Sequence, residues 1–338
     1  MSYLFPAPCS AATAPHDMPP LRGQTALRIG MVMQLDRAGR RSLLAHDPQR
    51  DGALYARPAP IAGLTLERPR IMGIVNVTPD SFSDGGQFAS IDAALRQGCA
   101  LVQAGADILD IGGESTRPGA REIPVAEEIA RVVPVIEGLR AKGITRPISI
   151  DTRKARVAEA ALAAGADMVN DVSALTWDPD LAPLVAQAGV PICLMHAQGT
   201  PQTMQADPRY EDVRLDVFDW LMGAIERAAQ AGIAPERVLV DPGIGFGKTV
   251  AHNLALIRDL ALFHATGCAI LLGASRKSFI GRISGVQEAA ARQAGSLAVA
   301  LHGAGQGAQI LRVHDVAETR QALDLWQALH ETEGRDQP

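Results

Sequence analysis

Short runs of aliphatic and β-branched residues recur along the chain after residue 70, and Ala-rich segments with helical spacing separate them. Eight such runs follow one another: Ile71–Val75, Ile108–Ile111, Ile148–Ile150, Met168–Val169, Ile192–Met195, Val238–Val240, Ile270–Leu272 and Ile310–Val313. Short apolar runs bounded by turn residues are typical of buried strands. Eight successive strand–helix units predict an α/β protein with a (β/α)₈ TIM barrel, and an open doubly wound sheet is the alternative.

The region before the first run lacks this regularity. Five prolines fall within the first 20 positions, which predicts a disordered tail over residues 1–25. Residues 26–66 combine scattered apolar positions with dense turn signals, so we expect an N-terminal extension with short strands there. The predicted barrel domain occupies residues 67–330.

Polar or charged side chains lie at the end of every predicted strand or directly after it. They are Asn76, Asp110, Asp151, Asn170, Asp171, His196, Asp241, Ser275, Arg276, Lys277, Arg312, His314 and Asp315. In a TIM barrel the carboxyl ends of all strands share one face, and that face holds the active site. One Asp in such a position is most simply a helix N-cap. A whole ring of polar strand ends favours a pocket with carboxylates and amides inside and cations at its rim.

These residue types suit a particular ligand chemistry. Asp151, Asn170 and Asp241 follow three different strands, and their side chains can accept from and donate to the edge of a planar heterocycle. The alternative is that they hold loops. Arg312 and His314 are two residues apart on one strand and therefore face the same side. Together with Arg117 and Lys277 they favour a phosphorylated or carboxylated substrate.

Composition narrows the function classes. The chain has 338 residues, a net charge of −5 and only 4% aromatic residues, which argues against a nucleic-acid-binding surface. No apolar run is long enough for a membrane span, and the N-terminus does not resemble a signal peptide. The four cysteines form no CxxC pair, so we expect neither a zinc site nor disulfides, but a reducing, cytoplasmic setting.

Two long motifs resemble the signatures of the dihydropteroate synthase family. The first is IMGIVNVTPDSFSDGG at residues 71–86, and the second is DIGGESTRPG at residues 110–119. Shorter matches follow in the family's order: SIDT at 149–152, NDVS at 170–173, LMH at 194–196, GTPQTM at 199–204, DPGIGFGK at 241–248, SRKS at 275–278 and RVH at 312–314. The resemblance covers residues 64–328.

The resemblance implies a TIM barrel that joins 6-hydroxymethyl-7,8-dihydropterin diphosphate to 4-aminobenzoate, with release of diphosphate. It implies a pterin site at Asp151, Asn170, Asp241, Lys277 and Met195, and a 4-aminobenzoate site at Thr116, Phe246 and Ser275. It further implies diphosphate binding by Arg117, Arg312 and His314, a Mg²⁺ ligand at Asn76, and catalytic roles for Asp110, Lys277 and Arg117. Mobile loops at 77–90 and 112–124 and a homodimer are also implied.

Two other readings share parts of this pattern. A pterin-dependent methyltransferase acting on methyltetrahydrofolate and a corrinoid protein would keep the Asp and Asn residues but needs no diphosphate clamp. A non-catalytic paralogue would be expected to lose Asn76, Lys277 or the arginines, and all are present. We therefore expect the synthase.

Overall fold

The computed structural model describes residues 2–77, 86–115, 119–199 and 203–332, without the side chains of residues 53 and 86–90. Its centre is a closed barrel of eight parallel strands, in which each strand pairs with the next along the chain and the last pairs with the first. The strands are β4 (Arg70–Asn76), β5 (Ile108–Gly112), β6 (Ile148–Asp151), β7 (Met168–Asp171), β8 (Ile192–Met195), β9 (Val238–Asp241), β10 (Ala269–Leu272) and β11 (Ile310–Val313). The predicted TIM barrel is confirmed, and each of the eight apolar runs is a strand.

Helices surround this barrel. They are α2 (Gly86–Gln103), α3 (Val125–Ala141), α4 (Ala155–Ala163), α5 (Leu181–Ala188), α6 (Val213–Gln230), α7 (Val250–Arg258), α8 (Ser278–Ser284), α9 (Gln293–Gly305) and α10 (Val316–His330), after a short α1 (Pro48–Asp51) in the extension. Their Ala and Val residues pack against outward-facing strand residues in one large core. Small side chains allow this close approach, which fits the low aromatic content.

Side chains that point into the barrel divide into two layers. Alternate strand residues point inward, and those near the amino ends are apolar and buried: Met72, Ile108, Met168, Cys193, Leu239, Ala269, Leu271 and Ile310. The segment around Ile61 and Leu66 closes this end of the barrel by packing against the same cluster. The polar inward residues lie one layer higher, so the pocket has a dry apolar floor.

The N-terminal region corrects the prediction of a disordered tail over residues 1–25. Ser2–Ser10 form strand β1, which pairs antiparallel with β2 (Leu27–Asp36), and β2 pairs with β3 (Arg41–Ala45). The strand order β1–β2–β3 makes β1 an edge strand. Proline lacks a backbone N–H and is therefore tolerated in an edge strand. Pro6 and Pro8 lie in β1 for this reason, although the high proline content of the segment predicted disorder.

This small sheet packs on the side of the barrel. The ring of Tyr3 meets Phe218 of α6 edge-on at 5.5 Å between centroids. Arg41 Nη2 lies 2.5 Å from Asp259 Oδ2, just after α7. Gln24 Nε2 donates to the carbonyl oxygen of Gly307 at 2.8 Å. The extension and the barrel therefore share one hydrophobic core.

Candidate active site

The pocket at the carboxyl ends of the strands is lined by residues in register with one another. Asn76, Gly112, Asp151 and Asn170 are successive backbone partners across β4, β5, β6 and β7. Met195 and Asp241 are partners across β8 and β9. Because register partners in a parallel sheet point to the same side, the chain brings these residues together from strands far apart in sequence.

Arg312, on β11, binds two carboxylates that come from the neighbouring strands β5 and β6. Its Nε donates to Asp110 Oδ2 and its Nη2 donates to Asp151 Oδ2, both at 2.6 Å. Asn170 Nδ2 also donates to Asp110 Oδ2, at 3.1 Å. Asp110 Oδ1 is buried and has no partner among the described residues. One buried acceptor therefore remains for a ligand group that donates a hydrogen bond.

The charges in this group do not balance, since two carboxylates share one guanidinium. Desolvation raises the pKa of Asp151 to about 7; the nearby Arg312 opposes this rise and the Asp110 carboxylate adds to it. Desolvation alone would lower the pKa of Arg312, but the two carboxylates reverse this and raise it. The guanidinium thus stays charged while Asp151 titrates near neutrality.

Lys277 and Asp241 form the opposite wall. Asp241 Oδ1 accepts from the backbone N–H of Gly243 at 2.7 Å. Lys277 Nζ donates to the carbonyl oxygen of Ile244 and lies 4.6 Å from the centroid of the Phe246 ring. Desolvation lowers the pKa of Lys277 to about 8, and Asp241 opposes this fall. Desolvation likewise raises the pKa of Asp241, and Lys277 opposes that rise.

The rim is formed by the ends of β10 and β11. Ser275 Oγ lies 3.0 Å from His314 Nδ1 and accepts from the backbone N–H of His314 at 3.2 Å. Arg276 has a positive φ of 58°, and its Nε and Nη2 donate to the two carboxylate oxygens of Asp315 in a bidentate pair. These contacts tie the two strand ends together and turn Ser275 and Lys277 toward the pocket.

Two inward-facing glycines leave room for a flat ligand. A Cβ atom on Gly112 would lie 3.5 Å from Asp151 Cβ, and one on Gly273 would lie 3.4 Å from Asp241 Oδ2. Side chains at these positions would fill the space between the carboxylates. The pocket therefore combines planar room with acceptors on two walls, which suits a heterocycle with several N–H groups.

Comparison with known proteins agrees with this geometry. A family model described as pterin binding enzyme matches residues 72–314. The dihydropteroate synthase of Escherichia coli strain K12 is 47% identical over 265 residues, which cover 78% of this chain and 93% of that protein. That of Neisseria meningitidis serogroup B is 50% identical over 269 residues, covering 78% and 94%. This chain belongs to the dihydropteroate synthase family.

Solved structures of the family are also similar. The Xanthomonas albilineans dihydropteroate synthase with 4-aminobenzoic acid has a TM-score of 0.75 and 50% identity, covering 79% of this chain and 96% of that chain. The same enzyme in complex with 7,8-dihydropteroate has a TM-score of 0.72 and 48% identity, covering 79% and 95%. The similarity therefore extends over almost the whole of each relative.

Most site residues expected from the family resemblance lie around this one pocket: Asn76, Asp110, Asp151, Asn170, Met195, Asp241, Phe246, Ser275, Lys277, Arg312 and His314. Thr116 and Arg117 lie outside the described residues, as do parts of both loops expected to be mobile. Arg312 was expected at the rim as a phosphate ligand, whereas its guanidinium lies inside the pocket on two carboxylates. The ligands assigned to these residues stay predictions.

Asn76 is the residue that the family resemblance offers to Mg²⁺. It ends β4, and its Oδ1 lies 3.8 Å from where a Cβ on Gly112 would stand. Within the described part of the chain, no three His, Cys, Asp or Glu side chains are grouped as a metal site. A single neutral oxygen suits a Mg²⁺ ion that keeps several waters and takes its other ligands from substrate phosphates. Asn76 thus fits an ion that binds together with a diphosphate.

Lys248 and His196 are buried beside this pocket. The sequence predicted no specific role for either side chain. Lys248 Nζ lies 2.9 Å from His196 Nδ1 and donates to the Phe246 carbonyl oxygen at 3.0 Å. Both residues stand inside motifs that match the family, and His196 is also one of the polar side chains that follow the predicted strands. A Lys that follows a glycine-rich loop otherwise indicates a solvent-exposed or phosphate-binding side chain.

Proposed function

We propose that this protein condenses 6-hydroxymethyl-7,8-dihydropterin diphosphate with 4-aminobenzoate to give 7,8-dihydropteroate and diphosphate. The observation that carries the proposal is the pocket in which Arg312 joins Asp110 and Asp151 while Asp241 and Lys277 face them. The comparisons support it, since the similar enzymes bear this name and the one from Xanthomonas albilineans was solved both with 4-aminobenzoic acid and with 7,8-dihydropteroate.

The proposed pterin site consists of Asp151, Asn170, Asp241, Lys277 and Met195. Carboxylates accept from the N–H and amino groups of the pterin, while the Asn170 amide both donates and accepts. The Lys277 ammonium donates to a ring acceptor. Because the groups come from separate strands of a rigid barrel, they orient the ring and its exocyclic carbon before reaction, which lowers the entropic barrier.

The reaction breaks the bond between the exocyclic carbon and the diphosphate oxygen, which leaves with the electron pair. It forms a bond from that carbon to the amine nitrogen, whose proton passes to the released diphosphate or to water. We assign the diphosphate to Arg117 and His314, and to Arg312 through the positive charge that it retains beside Asp110 and Asp151; these groups stabilise the leaving anion. Asp110 lies across the pocket from Lys277, where its carboxylate stabilises positive charge on the carbon. Asp110, Lys277 and Arg117 are the proposed catalytic residues.

The 4-aminobenzoate site is assigned to Thr116, Phe246 and Ser275. The Phe246 ring already contacts Lys277, so an aromatic amine stacked there would lie next to the pterin site. Asn76 would hold Mg²⁺ together with the substrate diphosphate, and this ion would neutralise part of the negative charge on the leaving group. The side chains of the two proposed sites orient the pterin and 4-aminobenzoate relative to each other.

A coupling assay tests the proposed reaction. Purified protein should release diphosphate only when the pterin diphosphate, 4-aminobenzoate and Mg²⁺ are all present, and 7,8-dihydropteroate should form in equal amount. Chelation of Mg²⁺ should stop the release, and added Mg²⁺ should restore it. Methyl transfer from methyltetrahydrofolate without diphosphate release would show that the reaction has been assigned wrongly.

We further propose a homodimer in the cytoplasm. The proposal is supported by exposed apolar side chains on three outer helices, namely Leu254, Ile283, Leu325 and Leu329, since a contact with a second copy would remove such side chains from water. Light scattering should give twice the mass of one chain, and Leu329→Glu should reduce it to one. In the described part of the chain no helix is long and apolar enough to cross a bilayer.

A further inference from the structure

The loop between β9 and α7, residues 242–248, is held by side chains from several other elements. Three of its glycines have positive φ values, so the sequence allows a tight path, which includes a turn in which the Phe246 N–H donates to the Gly243 carbonyl at 3.1 Å. Other backbone groups of the loop bond to side chains: Gly243 N–H to Asp241, Gly245 N–H to Asn253, Gly245 carbonyl to Gln205, and Gly247 carbonyl to Tyr210. A loop fixed in this way presents its own side chains and carbonyl groups rigidly.

Lys248 also holds this loop, and the burial of its amino group costs free energy of folding. The residue is 3% exposed, and its ammonium donates to two neutral acceptors, His196 Nδ1 at 2.9 Å and the Phe246 carbonyl oxygen at 3.0 Å. Desolvation lowers the pKa of Lys248 well below its ordinary value, and the nearby Asp241 carboxylate opposes this fall. Burying an amino group this deeply costs stability whether it is charged or neutral. A Met or Leu of similar size would avoid this cost, so the amino group has a use that stability alone does not explain.

His196 is suited to the acceptor role. It follows β8, its backbone N–H donates to the Asp241 carbonyl at 3.0 Å, and its ring packs edge-on against Trp220. Burial and the adjacent Lys248 lower the pKa of His196 to about 2, which keeps the imidazole neutral. A neutral ring that accepts at Nδ1 carries its hydrogen on Nε2. The His196 imidazole at the end of β8 therefore accepts the hydrogen bond from Lys248 Nζ at a fixed position.

We propose that Lys248, anchored on His196, is a positioning residue for the 4-aminobenzoate side of the pocket. It fixes the Phe246 backbone, and the same loop offers the Ile244 carbonyl and the Phe246 ring to Lys277. A Cβ on Gly245 would come within 3.1 Å of Lys277 Cδ, so the loop also confines the stem of this side chain. Neither Lys248 nor His196 touches the substrates. The inference rests on the proposed function, because it takes Phe246 and Lys277 as substrate contacts.

The first test is Lys248→Met, which keeps the length of the side chain and removes the ammonium. We expect the KM for 4-aminobenzoate to rise several-fold, up to about tenfold, because the Phe246 backbone loses the hydrogen bond that fixes it and must be ordered when the substrate binds. The KM for the pterin diphosphate should rise less, because among the proposed pterin residues Lys277 and Asp241 contact this loop, whereas Asp151 and Asn170 bind Arg312 and Asp110 instead. Lys142→Met, at an exposed lysine after α3, is the matched control and should leave both values unchanged.

A pair of substitutions at the anchor separates positioning from folding. His196→Asn keeps an acceptor near the Nδ1 position and should restore most of the 4-aminobenzoate affinity that His196→Leu loses. This pair decides the question if Lys248→Met does not fold. A lower Tm for Lys248→Met and His196→Leu with both KM values unchanged would refute the positioning role. An inactive wild-type protein would instead refute the proposed function.

Discussion

At the scale of single residues, the pocket is governed by an excess of acid over base. Arg312 pairs with Asp110 and Asp151 at equal distances, so neither carboxylate has a cation of its own. Desolvation raises the pKa of Asp151 to about 7, and the carboxyl group is therefore only partly ionised near neutral pH. A ligand that donates to Asp151 will favour the ionised form, which couples substrate binding to loss of a proton.

The raised pKa of Asp151 predicts that the free energy of unfolding depends on pH. Its pKa is about 7 in the folded protein against an ordinary value of 3.8. The folded protein thus holds a proton over a range in which the unfolded chain has released it. The contribution to the free energy of unfolding is fully present below pH 3.8 and is lost as the pH rises toward 7. Asp151→Asn, which cannot titrate, should flatten this part of the profile.

Urea unfolding at several pH values measures the effect. The slope of the free energy of unfolding against pH should be less negative for Asp151→Asn than for the wild type over this range. Asp324→Asn, at a side chain that is 66% exposed, should keep the wild-type slope. Equal slopes for wild type and Asp151→Asn would mean that the Asp151 pKa is not raised in the folded protein.

The sequence was informative about which residues form the site and much less informative about their partners. Polar side chains at strand ends can be predicted to share a face, because the eight apolar runs already imply the barrel. The contact between Asp110 and Arg312 joins positions 202 residues apart, and it arises because β11 closes the barrel beside β4. No local pattern indicates that the guanidinium turns inward. The charge balance of the pocket depends on the pairing of β11 with β4, because this pairing brings Arg312 beside Asp110.

At the scale of elements, the glycine-rich loop 242–248 depends on the strand beside it. The end of β8 approaches so closely that a methyl group on Gly243 would overlap the carbonyl oxygen of His196. Gly243 also has a φ of +67°, which favours glycine. The motif resembles the end of a phosphate-binding loop in composition, yet its glycines serve a close approach between two segments of backbone.

Gly243→Ala should therefore be severely harmful. The backbone of β8 or of the loop must shift, so we expect a loss of stability well above the ~1–2 kcal/mol that a left-handed alanine alone costs, together with weaker binding at Phe246 and Lys277. Gly39→Ala is the matched control: its φ is +76° and a Cβ would meet no atom within 4 Å. Thermal unfolding and the KM for 4-aminobenzoate report both effects. Similar losses for the two variants would leave only backbone strain as the cause.

Strand β1 shows where element prediction from composition fails. Prolines at positions 6 and 8 indicate disorder when the chain is considered locally. In the structure they occupy an edge strand, with an irregularity in the pairing between Ala7 and Pro8. The stabilising contacts come from α6 and from the segment after α7, more than 200 residues away along the chain. Sequence patterns of a few residues cannot contain this information.

At the scale of the whole molecule, we expect the extension and the barrel to unfold as one unit, because they share one hydrophobic core. Tyr3, Phe5 and Leu21 are 6%, 4% and 0% exposed and belong to the same apolar cluster as the barrel helices. Leu21 also lies against Gly307 at the amino end of the barrel, far from the pocket. The extension should therefore contribute to stability and leave the chemistry unchanged.

Deletion of residues 1–25 tests this coupling. Each large side chain that loses its burial costs roughly 1.5–3 kcal/mol, so the truncated chain should be less stable by about 4 kcal/mol or more and its urea midpoint should fall. Activity per folded molecule should stay near that of the full chain, because no proposed site residue lies in the deleted segment. Leu21→Ala should reproduce part of the loss, while Leu43→Ala, at a side chain on the same sheet that is 56% exposed, should not. An unchanged midpoint after deletion would mean that the N-terminal sheet lies on the barrel without stabilising it.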